Sequence, residues 1–103
     1  MTYTEEGIVL GRTIGSIDYS SELLTIIGLA VDKEARGKRI GRQLLKEIEG
    51  IATKEGCSLV LLETNSISAP QFYEKQGYSL LGTIADYPIE GVENYYYYKR
   101  LQQ

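Results

Sequence analysis

The sequence predicts a single α/β domain, residues 1–103, built on one mixed, mostly antiparallel sheet with a central parallel β-α-β crossover. Three observations carry that prediction. Two apolar, strand-like runs, one ending at Val31 and one spanning residues 58–64, flank a single amphipathic helical stripe. Strand, helix, strand in that order implies parallel strands joined by a right-handed crossover. Short strand-like runs toward both ends are separated by turn residues, which suits antiparallel pairing. Finally, 103 residues with 43% apolar and 24% charged content is enough for one small globular domain.

The elements follow in order. Residues 8–18, IVLGRTIGSID, read as one or two short strands with Gly11 and Gly15 as bends. Residues 22–31 are the strongest strand, apolar on both faces and so expected to be buried on both. The helix carries Ile40, Leu44, Leu45, Ile48, Ile51 and Ala52 as one stripe, with Lys46, Glu47, Lys54 and Glu55 mostly opposite. Gly56 is placed to stop it, and Gly50 within it costs about 1 kcal/mol against alanine. Residues 58–64 form a buried strand. A short helix over 69–76 has Pro70 in its first turn and Gly77 at its end. Two more strands complete an order of β-β-β-α-β-α-β-β, and the last carries Tyr95 to Tyr98, two to each face.

Composition narrows the chemistry. The chain has no histidine, which excludes a Ser-His or Cys-His pair. Its single cysteine allows no internal disulfide, and Cys57 reads as a buried small hydrophobe. A metal site would need one thiolate and carboxylates, so none is expected. A net charge of −3 argues against a nucleic-acid partner. Neither a signal peptide nor a membrane-length apolar run is found, so a soluble cytoplasmic protein without a membrane partner is expected.

The stretch VDKEARGKRIGRQLL runs from a strand end into a basic, glycine-punctuated loop and then a helix. A helix N-terminus presents unpaired N–H groups and partial positive charge. Gly37 and Gly41 permit close backbone approach, and Arg36, Lys38, Arg39 and Arg42 surround the same spot. The combination suits a phosphate or diphosphate. A helix start with solvated basic residues is the plainer reading. The loop matches neither the P-loop nor G-x-G-x-x-G.

The segment LAVDKEARGKRIGRQLL resembles the acetyl-CoA motif of the GNAT (Gcn5-related N-acetyltransferase) superfamily, Q/R-x-x-G-x-G/A, with Arg36, Ile40 and Gly41 in register and Gly37 after the leading arginine. A second segment, NSISAPQFYEKQGY, is similar to the family's downstream motif through Ala69, Tyr73, Glu74, Lys75, Gly77 and Tyr78. The resemblance spans residues 7–101. It implies an acyl-CoA N-acyltransferase fold and an enzyme that moves the acetyl group of acetyl-CoA directly to a primary amine. It also implies donor-binding positions: the main chain of Leu29, Ala30 and Val31 for pantetheine, residues 36–42 for the diphosphate, and Asn65, Ser66 and Ala69 beside the coenzyme. Tyr73 corresponds to the tyrosine that protonates the departing thiolate. Glu63 is the candidate base for the acceptor amine, with a structural carboxylate as the alternative. Asp86, Glu90 and Glu93 read either as a solvated loop or as an attractor for a cationic acceptor.

The chain departs from the family pattern in three places. Arg39 stands where the loop's central glycine is usual. Asn65 and Ser66 lie eight and seven residues before Tyr73, and asparagine is usual at the second position. About 22 residues precede the strongest strand, so the family's N-terminal strand-helix-helix layer is expected to be largely missing. A bare sheet face around Ile8, Leu10, Ile14 and Ile17 is then expected, favouring a homodimer. The competing readings are a catalytically silent coenzyme-A-binding or dimerisation module and a plain α/β interaction domain.

Overall fold

The computed structural model describes residues 2–5, 8–31, 39–66 and 70–101. They form β1 (Thr2–Glu5), β2 (Ile8–Asp18), β3 (Leu23–Val31), α1 (Ile40–Lys54), β4 (Leu59–Asn65), α2 (Pro70–Lys75), β5 (Ser79–Ile84) and β6 (Asn94–Arg100). The strands make one six-stranded sheet in the order β1-β2-β3-β4-β6-β5. Among the described strands only β3 and β4 pair in parallel, and α1 lies between them in the chain; the other neighbours are antiparallel. The mixed sheet with its central crossover is therefore as expected.

Both helices feed one core. Leu24 and Ile26 of β3, Val60 and Leu62 of β4, Tyr78 and Tyr97 meet Leu45, Ile48 and Ala52 of α1, and α2 adds Phe72 and Tyr73. Each fully buried large apolar side chain contributes about 1.5–3 kcal/mol. A polar tie reinforces the packing: half-buried Glu49 of α1 accepts from the Tyr78 hydroxyl at 2.7 Å and from Lys99 Nζ at 2.9 Å. Lys99 also reaches the Gln76 carbonyl at 3.1 Å, so one amine links α1, β6 and the end of α2. Gly56 (φ 87°) and Gly77 (φ 92°) stop the helices in the left-handed conformation that favours glycine.

Several expectations need correction. Residues 8–18 form one strand, the first of the two alternatives, and β1, not expected from the sequence, precedes it. Gly11 and Gly15 are not bends but points of close helix approach. A Cβ on Gly15 would lie 2.8 Å from Ile48 Cδ1 and Leu24 Cδ1, and one on Gly11 would lie 3.0 Å from Ile40 Cγ2 and Leu44 Cδ1. The strongest strand is buried on one face only: Leu24 and Ile26 are buried, whereas Ile27 is 65% exposed. Ile51 falls off the apolar stripe of α1 and is exposed.

Neither helix covers the second face of the sheet. Leu61 lies there, alternating with buried Val60 and Leu62, and so does exposed Glu63. Tyr95 and Tyr97 pack with the core while Tyr96 and Tyr98 take the other face, as alternation requires. Ile14 is exposed on the bare side, but Ile17, three residues on, packs against the core. The expected bare patch thus keeps Ile14 and loses Ile17; the side chains of Ile8 and Leu10 are outside the described residues.

Candidate functional site

The parallel pairing of β3 with β4 runs from Leu23↔Leu59 to Ile26↔Leu62 and stops there, although β3 continues to Val31 and β4 to Asn65. The cause lies on the other side of β3. Its pairing with β2 passes from Ile14↔Gly28 to Gly15↔Ile26, leaving Ile27 as an extra residue. Such a bulge bends the strand and increases its twist. Buried Thr13 secures it by donating from Oγ1 to the Gly28 carbonyl at 2.8 Å. Beyond Ile26 the strands part. Leu29, Ala30 and Val31 still pair with Thr13, Arg12 and Gly11, but among the described residues no strand pairs with the edge of β3 toward β4 there. That edge offers main-chain donors and acceptors to an extended ligand.

A cavity of about 340 Å³ opens on the bare face where the strands diverge, lined among others by Thr25, Ile27, Leu61, Glu63, Leu81 and Tyr96. Glu63 sits directly across the β4–β6 ladder from Tyr96. The sequence left open whether Glu63 faces a cleft; it does.

At the mouth of α1, Arg39 occupies the N-cap position with φ 61° and ψ 22° and no side-chain cap. The first turn holds no acidic residue, so nothing in it offsets the positive end of the helix dipole. Arg39, Arg42 and Lys46 line a depression of about 290 Å³ with Gln43 and Glu47. The left-handed backbone at 39 explains why glycine is usual in that motif position: a side chain there is strained. Ile40 is buried against the Gly11 position and Gly41 follows in the first turn, fixing the start of the helix. Arg36, Gly37, Lys38 and Ala69 lie outside the described residues.

Tyr73 projects from α2 into the core side of the sheet. It meets Phe72 edge-on at 5.2 Å, Tyr78 at 6.0 Å and Tyr97 at 6.2 Å between ring centres. Burial raises its phenol above the usual tyrosine value, so it holds its proton at neutral pH. Tyr97, a core residue, donates to Glu74 Oε2 at 2.7 Å. That bond fixes α2 against the sheet; burial first, and then the bond to Glu74, raise the Tyr97 phenol to about 12. Tyr73 and Glu63 thus flank the sheet plane from opposite faces.

The remaining predicted residues divide. Asn65 ends β4 in register with Asn94, whose buried Nδ2 has no hydrogen-bond partner among the described residues. Sequence reasoning missed Asn94; its only signal is a polar residue heading a tyrosine-rich strand. The Ser66 hydroxyl accepts from the Glu93 N–H at 3.1 Å, and the Ser66 N–H donates to the Glu93 carbonyl at 2.9 Å, so Ser66 clasps the β5–β6 connection. Asp86 accepts from the Gly91 N–H at 2.8 Å and shapes that same loop. Cys57 is buried, and burial raises its thiol, as fits a core residue. Among the described residues no three His, Cys, Asp or Glu side chains converge as a metal site. No helix among them is long and apolar enough to cross a membrane.

Comparison with known proteins completes the description. The profile of the acetyltransferase (GNAT) domain matches residues 2–80. A blasticidin-S acetyltransferase of Streptomyces morookaense is 36% identical over 85 residues, covering 82% of this chain and 61% of that protein. The crystal structure of an acetyltransferase from Bacillus cereus ATCC 14579 superposes with a TM-score of 0.91 at 39% identity, over 98% of this chain and 71% of that one. An aminoglycoside 6'-N-acetyltransferase complexed with coenzyme A shares the fold at 16% identity, with a TM-score of 0.87 over 99% of this chain and 72% of that one. The chain spans 47% to 61% of the length of the curated relatives it matches. On the domain match and the Bacillus cereus relative together, this chain belongs to the GNAT acetyltransferase family.

Proposed function

We propose that residues 1–103 act as one acetyl-CoA-dependent N-acetyltransferase domain, moving the acetyl group of acetyl-CoA to a primary amine of a small molecule or protein. The observation that carries this reading is the parting of β3 from β4 on a strand whose last residue, Val31, pairs with Gly11, where Ile40 at the start of α1 packs. An open strand edge suits the amide-bearing pantetheine arm, and a helix start without a side-chain cap from Arg39, flanked by Arg39 and Arg42, suits the diphosphate. In this reading Leu29, Ala30 and Val31 hold the arm through their main chain. Residues 36–42, including Arg36, Gly37, Lys38, Ile40 and Gly41, cradle the diphosphate. Asn65, Ser66 and Ala69 lie beside the coenzyme.

The residues then divide the proton work. Glu63 takes a proton from the acceptor ammonium, directly or through water, leaving a neutral amine to attack the thioester carbonyl. A C–N bond forms, the adduct nitrogen sheds its second proton to water, and the C–S bond breaks. Tyr73, kept neutral by burial, gives its phenolic proton to the departing thiolate, and water then reprotonates the tyrosine. No covalent enzyme intermediate is required.

Release of free thiol from acetyl-CoA over a panel of amines tests the proposal. Tyr73→Phe is expected to lower kcat about 100-fold or more with little change in KM for acetyl-CoA. Unchanged kcat in that variant rejects Tyr73 as the acid. Thermal stabilisation by coenzyme A without turnover of any amine supports the silent module instead, and no stabilisation at all supports a plain interaction domain.

A homodimer and cytoplasmic residence belong to the same proposal. Ile14, 56% exposed on the helix-free face, supports burial against a second copy. A chain that stays monomeric at high concentration refutes the dimer.

A further inference from the structure

We propose that the acceptor is a monoamine with an apolar alkyl or aryl body, held in the cavity lined by β3, β4, β5 and β6, and not a polycation. The inference rests on the acetyltransferase reading and deepens it. Ile27, Leu61 and Leu81 give the cavity an apolar wall, and Tyr96 faces Glu63 across the ladder. Ile27 and Leu81 are 65% and 60% exposed, so an apolar ligand body would remove their surface from water. The volume, about 340 Å³, lies at the small end of ligand pockets, which run from roughly 300 to 1,000 Å³.

The charge inventory sets the rest. Glu63 is the one carboxylate among the described residues lining the cavity. It neutralises one ammonium, and the neighbouring Tyr96 ring adds a favourable aromatic contact for a cation. A second or third ammonium on the same ligand would find no second carboxylate among the described lining residues. It would meet only the apolar Ile27, Leu61 and Leu81 and the neutral hydroxyls of residues such as Thr25 and Tyr96, which offset a charge's desolvation less than a carboxylate does. The acids of the β5–β6 connection do not relieve this, because Asp86 is committed to the Gly91 N–H and none of them lines the cavity.

The experiment measures kcat/KM with acetyl-CoA for propylamine, butylamine, pentylamine, hexylamine, 2-phenylethylamine and spermidine, using the whole chain. The expected result is a rise of about two- to fourfold per methylene from propylamine to hexylamine, the upper figure being full burial of each methylene. Spermidine should fall at least about tenfold below hexylamine, the cost of one charge without a carboxylate partner in the cavity. Ile27→Ser and Leu81→Ser, both at exposed positions, should flatten the methylene slope. A flat series in the wild type, a preference for spermidine, or an unchanged slope in both variants overturns the proposal. The same ranking is read independently of catalysis by calorimetric titration of hexylamine and spermidine onto the chain with coenzyme A present. Hexylamine binding more tightly there, with no turnover of any amine, refutes the transferase reading and leaves the pocket preference standing. Absence of binding by hexylamine, or tighter binding by spermidine, overturns the preference itself.

Discussion

Replacing Arg39 by glycine should move stability and coenzyme affinity in opposite directions. At φ 61° the residue sits in the left-handed region, which costs a non-glycine side chain about 1–2 kcal/mol. Glycine removes that strain but gives back roughly 0.5–1 kcal/mol through the extra freedom of the unfolded chain. The net gain is about 0.5–1 kcal/mol, or a rise in Tm of about 2–8 °C for a domain of this size. The same change deletes a guanidinium from the depression at the mouth of α1. Loss of one charge-assisted contact to a phosphate, about 1–2 kcal/mol after solvent screening, weakens coenzyme A binding about 5- to 30-fold. Arg39→Ala separates the two effects, since it loses the charge and keeps the strain: affinity should fall without any gain in Tm. Differential scanning calorimetry and isothermal titration with coenzyme A read both quantities on the same samples. Tighter binding by Arg39→Gly would mean that the side chain obstructs the diphosphate, and it would refute the gripping role argued here.

Two further outcomes follow from the packing and the tyrosines. Gly15→Ala should lower stability by about 1–3 kcal/mol, because the new methyl would lie 2.8 Å from the ends of Ile48 and Leu24; an unchanged thermal melt contradicts the close approach of α1 to β2. Alkaline pH should destabilise the fold. Tyr73, Tyr78 and Tyr97 all have raised phenol values, first through burial, with Tyr97 at about 12. The folded state therefore favours the neutral phenols, their contribution is complete below the unfolded tyrosine value of about 10, and it is lost as pH rises through about 12. Urea midpoints that stay flat from pH 9 to 12 would contradict that ordering.

Much of this architecture is legible in the sequence because it depends on local periodicity. The crossover is visible in two apolar runs around one helical stripe, and Gly56 and Gly77 mark helix ends that the backbone makes with positive φ. The less legible features depend on register or on distant contacts. Gly11 and Gly15 look like bends until α1 is laid across them, when the missing Cβ becomes the reason for glycine. The bulge at Ile27 is set by how β2 and β3 pair, and no residue type within the strand announces it. Ile14 and Ile17 look equivalent in composition, yet their odd spacing sends them to opposite faces. Glu63 could be assigned to the cavity only once Val60 and Leu62 were known to face the core. Arg39 is the reverse case: its departure from the family glycine is plain in sequence, and its left-handed backbone supplies the physical reason that the position matters.

Acetyl transfer by this chain requires that it hold an extended acyl carrier at the mouth of α1 and along β3. A crystal structure of the chain with coenzyme A tests that most directly. The diphosphate is predicted against the first-turn amides of α1 with Arg39 and Arg42, and the pantetheine arm along the main chain of Leu29, Ala30 and Val31 on the open edge of β3. Coenzyme bound elsewhere, with the helix mouth and the gap between β3 and β4 both vacant, would contradict it.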